Sequence, residues 1–355
     1  KGLYKNLVGK GEKVAFIPSH RYLAVMRGVS QKELSVKITI DMQRVEDNIK
    51  SYKIPSHASS SKELLLAAYL DGLKRLLLPS IEREVQSLLK EKADLSAIRV
   101  FGKNLGQLLM TPPVRERVIL GVDPAFVSGC KLAVIDINGN YLESAVIYPT
   151  APKNDYNNSK TKVLALANKY NITAIAIGNG TASRETQEFF AKINKDENVK
   201  LNYTVVSEAG ASVYSASKLA QEEYPKLDVT IRGAISIAQR LRDPMATLVK
   251  IDPKSLGIGQ YQHDVNQKLL EKKLSDVTED LVNRVGVDIN SASASLLYHV
   301  AGLSQKLAHN IIDYRDEEGE FRTKSELLKV KGIGKKAYEQ AAGFIRIIEG
   351  KTAFD

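Results

Sequence analysis

Two acids stand where apolar runs give out. Asp123 ends the run Val118–Val122, and Glu208 follows Tyr203–Ser207. Carboxylates gathered from strand ends are how a domain holds two metal ions about 4 Å apart for phosphodiester cleavage. A third acid should open the domain's last helix, and there the chain reads Ile231-Arg232-Gly233-Ala234. A guanidinium at that place would compete with metal for Asp123 and Glu208. Asp228 and Asp243 are near in sequence but off the expected position. A plainer reading makes Asp123 a strand-end turn residue before Pro124 and Glu208 an acid at a helix N-terminus. No catalytic residue, metal or cofactor is therefore expected, with Asp123 and Glu208 as vestigial candidates.

Two glycine-rich stretches could meet an anion. Gly178-Asn179-Gly180-Thr181-Ala182-Ser183-Arg184 leads into a helix and could form a backbone nest, or be an ordinary turn. Val330-Lys331-Gly332-Ile333-Gly334-Lys335-Lys336 lies between an apolar helix ending near Leu328 and one holding Ala341, Ala342 and Ile345. This is the helix-hairpin-helix pattern. Glycine lets the chain turn sharply and approach a phosphate, and the following helix points its first amides at it. Such contacts grip the sugar-phosphate backbone and read little sequence. Residues 321–336 carry six bases against one acid, Glu326. A solvated helix–helix turn is the alternative. A 30-residue repeat is visible: Ser295, Leu297, Val300, Gly302 and Lys306 recur as Ser325, Leu327, Val330, Gly332 and Lys336. In the first copy Ser304 replaces the second glycine, so Gly302 is expected to serve packing more than a second clamp.

The remaining reactive side chains form no pattern. His20, His57, His263, His299 and His309 make no HxH or HxxxH pair, and His263 beside Asp264 reads as structural. Cys130 is the only cysteine, which excludes an intrachain disulfide or a cysteine zinc site and fits a reducing, cytoplasmic setting.

The elements that must position these groups fall into three segments of the 355 residues. Residues 1–115 read as a mainly helical basic domain. Val36–Ile40 alternates like a strand, and Ser60 with Glu63 forms a capping box before a helix that must break or kink at Pro79. A second helix begins near Ser80, and Ile98, Phe101, Leu105 and Leu108 mark one face of a third. Thr111-Pro112-Pro113 reads as a linker. Residues 116–250 give strands at Val118–Val122, Lys131–Ile137 and Tyr141–Tyr148, with Asn138-Gly139 as a two-residue turn. A helix near Lys160–Tyr170, strand Ile172–Ile177, a helix from Ser183, strand Tyr203–Ser207, and helices near Ser212–Glu223 and Gly233–Arg242 follow. The order βββαβαβα is that of an RNase H-like α/β domain. Residues 251–355 read as a helical, tandem helix-hairpin-helix domain. No stretch is long and apolar enough for a membrane span, no secretory signal is visible, and the missing initial Met suggests a fragment.

The formal charge is +10, distributed as +9 over residues 1–118, +2 over 119–250 and −1 over 251–355. A basic face suggests a polyanionic partner, although a solvated surface would look the same.

Several stretches resemble the bacterial Tex family of transcription accessory proteins. They are Pro18-Ser19-His20-Arg21, Arg75-Leu76-Leu77-Leu78-Pro79-Ser80, Gly121-Val122-Asp123-Pro124, Gly129-Cys130-Lys131, and the runs 177–186 and 208–217. Residues 250–255, 259–265 and Asn283-Arg284-Val285-Gly286-Val287-Asp288 extend the likeness over essentially the whole chain. The resemblance implies a YqgF-type RNase H-like domain without nuclease activity, followed by helix-hairpin-helix repeats. It implies RNA or DNA binding in transcription. Full members also carry an N-terminal helix-turn-helix region and a C-terminal OB-fold domain, so the chain is expected to be a central portion. After Asp-Pro the family has Gly and an aromatic-Arg pair; here Ala125-Phe126-Val127 removes a cation that could meet phosphate. Two other functions compete: a metal-dependent nuclease or resolvase using Asp123 and Glu208, and a scaffold docking on RNA polymerase or the ribosome. A DNA glycosylase would need a catalytic Asp just after the hairpin, and none stands there.

Overall fold

The computed structural model describes residues 4–9, 11–54 and 61–348. The chain divides into two compact units, Lys1–Phe101 with Gly259–Leu270, and Gly102–Ile258 with Glu271–Asp355. Residues 259–270, read from sequence as part of the third segment, thus belong with the N-terminal unit.

The N-terminal unit is helical: α1 (Ser19–Ser30), α2 (Met42–Tyr52), α3 (Lys62–Gly72) and the first part of α4 (Leu78–Leu109). Val36–Ile40 is not a strand. It takes no regular secondary structure, Val36 and Ile40 are exposed, and the Ile38 amide donates to Glu82 at 3.3 Å. Alternation alone cannot make a strand without a partner edge. Ser60 lies outside the described residues, while Glu63 sits in the first turn of α3. Pro79 does not end the helix. Leu73–Leu77 widens into a π-helical stretch, in which the Leu78 amide reaches back to the Leu73 carbonyl. This wider turn accommodates a residue that lacks an N–H and whose ring crowds the preceding turn. The two further helices expected beyond Pro79 are one: α4 runs unbroken through Ser87, Asp94, Ser96 and Gly102. Its buried face includes Ile98, Phe101, Leu105 and Leu109; Leu109, not Leu108, completes the stripe.

Some of the basic side chains here are paired locally. Arg27 donates from Nε to Asp264 at 2.8 Å and from Nη2 to the Gln260 carbonyl at 2.6 Å, with its guanidinium 4.5 Å from the centre of the Tyr261 ring. Arg21 pairs with Glu12, and Arg75 with Asp71 at 2.8 Å. Gly259 is a packing glycine: a Cβ there would lie 1.9 Å from the Phe101 ring.

The second unit holds a five-stranded sheet of order β3-β2-β1-β4-β5: β1 (Ile119–Asp123), β2 (Cys130–Ile135), β3 (Tyr141–Ile147), β4 (Ala174–Gly178) and β5 (Tyr203–Val206). β2 is antiparallel to β1 and β3, while β1, β4 and β5 run parallel. The β2–β3 turn has three residues, not two. Asp136 and Asn140 close it, Gly139 takes φ +90°, and the Asp136 carboxylate accepts the Asn138 and Asn140 amides. α5 (Tyr156–Tyr170) and α6 (Ser183–Asp196) cover one face, where Leu120, Val122, Ile175 and Ile177 meet Val163, Phe189 and Phe190. The expected helix near Ser212–Glu223 is two short ones, α7 (Ala211–Ser215) and α8 (Lys218–Glu223), because Ser217 starts a new N-cap. α9 (Val229–Arg242) covers the other face, followed by α10 (Pro244–Leu248).

Alternation along β1 sends Ile119, Gly121 and Asp123 toward α9. The approach is close: a Cβ on Gly121 would lie 2.1 Å from the Ala234 carbonyl oxygen. Ala133, Ala174 and Ala176 keep that face shallow, and Ala234 and Ala238 meet it from the helix.

After α11 (Gln267–Val285), the chain forms β6 (Val287–Asp288), α12 (Ala294–Leu297), α13 (Gln305–Glu318), a 3-10 turn Lys324–Lys329, α14 (Lys335–Ala341) and β7 (Ile345–Arg346). The repeat is real in space. Leu297 and Leu327, Val300 and Val330, and Leu303 and Ile333 are all buried in one core. Ile345 is not in the final helix; it pairs with Val287 as a parallel strand, buried to 1 %.

Candidate functional site

The two hairpins pack reciprocally. Gly302, at φ +84°, lies where a Cβ would come 2.7 Å from Gln340 Cβ of α14. Gly332, at φ +91°, faces Leu307 of α13 at 3.1 Å, and Asn310 donates to the Lys331 carbonyl at 2.6 Å. Leu307 and Asn310 stand 30 residues before Ala337 and Gln340, so each hairpin seats on the other's following helix.

Their helix starts differ. Ser304 caps α13 by accepting the Leu307 amide at 3.3 Å. Gly334 is the N-cap of α14 in extended conformation and offers no side-chain cap. Lys331, Gly332, Gly334, Lys335 and Lys336 are exposed, Ile333 is buried, and the three lysines form no ion pair among the described residues. Serine satisfies an amide at the first copy that glycine leaves open at the second.

Asp123 ends β1 and Glu208 stands two residues past β5, both at the carboxyl ends of these strands. Asp123 faces Gly233 of α9, where a Cβ would lie 3.1 Å from Oδ2. Burial first, then the neighbouring Glu208 charge, push the Asp123 carboxyl up to about 6, while Lys131 pulls it down. Glu208 lies against the glycine loop: a Cβ on Gly180 would be 1.7 Å from Glu208 Oε1, and one on Gly178 2.7 Å from Oε2. Asn179 accepts the Glu208 amide at 2.9 Å. The glycines at 178 and 180 are thus explained by a carboxylate of the chain itself. Thr181 is exposed, Ser183 is buried at the start of α6, and Arg184 pairs outward with Glu188 at 3.3 Å.

Arg232 does not stand among the carboxylates. It is buried and donates to the Tyr224 carbonyl at 3.1 Å and the Ser215 carbonyl at 3.4 Å. The helix phase puts Gly233, one residue on, opposite Asp123. Asp228 caps α9 through the Thr230 amide at 2.8 Å, and Asp243 caps α10 through Ala246 at 3.0 Å. Neither supplies a third carboxylate.

Two cations escaped the sequence reading. Lys131, 7 % exposed, is the cross-strand partner of Asp123. Arg240, 3 % exposed, donates from Nη1 to the Ser207 carbonyl at 2.7 Å, while its Nε and Nη2 find no partner among the described residues. Burial lowers the Arg240 guanidinium to about 10, and Glu208 offsets part of that. The available signal was a lone cation inside an apolar stretch: Cys130-Lys131-Leu132-Ala133, and Arg240 seven residues beyond Gly233 on one helix face.

The two-metal site considered from the sequence would stand at these strand ends, and the residues present do not fit one. Gly233 offers no ligand, Arg240 stands beside Glu208, and no cluster of three or more His, Cys, Asp or Glu suited to a metal occurs among the described residues. No helix among them is long and apolar enough to cross a membrane.

Comparison with known proteins fits this geometry. Residues 9–101 match the Tex central region-like family model, 117–242 the Tex protein YqgF-like domain, and 282–346 the helix-hairpin-helix motif. The chain is 47 % identical to the uncharacterized protein YdcI of Bacillus subtilis, covering 100 % of this chain and 49 % of that one. It is 44 % identical to the transcriptional accessory protein Tex of Neisseria gonorrhoeae, covering 99 % and 47 %. It is 43 % identical to the human S1 RNA-binding domain-containing protein 1, covering 93 % and 34 %. The chain thus spans about half the length of its bacterial relatives, or less. With both Tex-specific regions and the hairpin motif matched in chain order, the chain belongs to the Tex family.

Proposed function

We propose that this chain is the nucleic-acid-gripping portion of a transcription accessory factor, that it binds the phosphate backbone with little sequence preference, and that it cleaves nothing. The observation that carries this reading is the second hairpin, where uncapped α14 amides and the exposed Lys331, Lys335 and Lys336 share one surface. The helix dipole and three cations favour a phosphate there. The misfit of the carboxylate site to metal supports the non-catalytic part. The names of the Neisseria and human relatives, which record transcription and RNA binding, agree with the first part. RNA and DNA are both admitted by a backbone grip, and a cytoplasmic location suits such a role. RNA polymerase and the ribosome are the assemblies on which such a factor would act.

The test is a titration with duplex and single-stranded DNA and RNA at two salt concentrations. Replacing Lys335 and Lys336 by Glu should weaken all ligands of one class alike and flatten the log–log salt slope by up to about 2. A loss confined to one base sequence would exclude the backbone grip. Nucleic-acid cleavage with Mn²⁺ that Asp123→Asn abolishes would exclude the non-catalytic reading.

A further inference from the structure

We propose that Lys131 and Arg240 are built-in counter-charges to Asp123 and Glu208, so that the carboxylate pair is balanced within the fold and admits no divalent metal ion. This deepens the non-catalytic reading and rests on it.

The pairing is geometric. Asp123 and Lys131 are directly opposed across the antiparallel β1–β2 ladder. Directly opposed residues project from the same face of a sheet. The Lys131 ammonium is held by the Ser128 carbonyl at 2.9 Å, Ser128 Oγ at 2.5 Å and the Gly129 carbonyl at 2.8 Å. Those oxygens occupy its three donors but carry no formal charge, and the Asp123 carboxylate supplies one. On the other side, Arg240 reaches from α9 to the carbonyl of Ser207, the residue before Glu208. Its remaining nitrogens have no hydrogen-bond partner among the described residues, and Glu208 is the carboxylate whose field acts on it. Each carboxylate lowers the cost of burying the cation nearest it, although at Asp123 burial and the Glu208 charge outweigh the attraction to Lys131.

The consequence for metal follows by charge. Two carboxylates opposite two buried cations sum to zero, so an entering divalent ion meets no net attraction and is repelled by Lys131 and Arg240. Gly233 adds no third ligand, and the loop at Gly178 and Gly180 already seats the Glu208 carboxylate.

The experiment measures Mn²⁺ binding to the whole chain by loss of the free-ion electron paramagnetic resonance signal. The wild type should show no Asp123-dependent binding at millimolar Mn²⁺. Lys131→Met and Arg240→Gln should each bind Mn²⁺ at least about tenfold more tightly, since each removes one repelling charge. Adding Asp123→Asn to either should abolish the gain. Circular dichroism checks folding, and if Arg240→Gln unfolds, Lys131→Met decides alone. Asp123-dependent binding by the wild type, or folded variants that bind no more tightly than it, would overturn the proposal. Cleavage assays run in parallel keep the two readings apart. Cleavage by the wild type refutes the proposed function; a missing gain in Mn²⁺ binding refutes only the counter-charge assignment.

Discussion

Replacing Asp123 by Asn should stabilise the protein at neutral pH and do little for it below the carboxyl's ordinary pKa of 3.8. The carboxyl sits between β1 and α9, and its folded-state pKa is raised from 3.8 to about 6, by burial first and by Glu208 second. The folded chain therefore holds this proton more tightly than the unfolded chain. The stability associated with the neutral carboxyl is fully present below 3.8 and is lost as pH rises through about 6. At about 1.36 kcal/mol per tenfold change in proton affinity, ionising Asp123 costs the folded state about 3 kcal/mol. An amide of the same shape avoids that cost at every pH; the raised value already includes the attraction to Lys131, so about 3 kcal/mol is the gain expected at pH 8. The assay is urea unfolding of both proteins from about pH 3, below the unfolded-state pKa, to about pH 8, with linear extrapolation to water. The two curves should nearly coincide at the acid end and separate as pH rises, with the Asn variant the more stable. A constant difference across the range, or an Asn variant less stable at pH 8, would refute the account of a strained, buried carboxylate.

Two further substitutions probe the packing and the hairpin. Gly121→Ala should destabilise by about 3 kcal/mol or more in urea unfolding, because its Cβ would lie 2.1 Å from the Ala234 carbonyl oxygen and the clash is with backbone. Gly334→Ser should give α14 the cap that Ser304 gives α13, adding a few tenths of a kcal/mol of stability while weakening duplex binding evenly across sequences; unchanged affinity in a salt titration would show that the open amides do not contact phosphate.

The sequence by itself determined strands β1 to β5 and the places of the first two carboxylates. Apolar runs bounded by turn residues mark β1 to β5 whatever they pack against, and Asp123 and Glu208 are legible as the polar residues that end two of them. Both hairpins were legible for a related reason: a sharp turn at positive φ needs glycine, so Gly302 and Gly332 repeat with the apolar residues around them. What the sequence could not supply was rotation about a helix axis. One residue of α9 turns the side chain by about 100°, and that step decides that Gly233 faces Asp123 while Arg232 turns to the Tyr224 and Ser215 carbonyls. The same phase brings Arg240 to the carbonyl of Ser207, the residue before Glu208, where only packing of α9 onto the sheet gives it meaning. Val36–Ile40 and Pro79 teach the same lesson from local signals. Alternation there found no partner strand, and the proline was absorbed by the π-helical turn at Leu73–Leu77. Local pattern fixes which elements can form, because it follows from the backbone and its own side chains. Which side chains confront one another across elements is set by tertiary packing, and the charge balance of Asp123, Lys131, Glu208 and Arg240 exists only at that level.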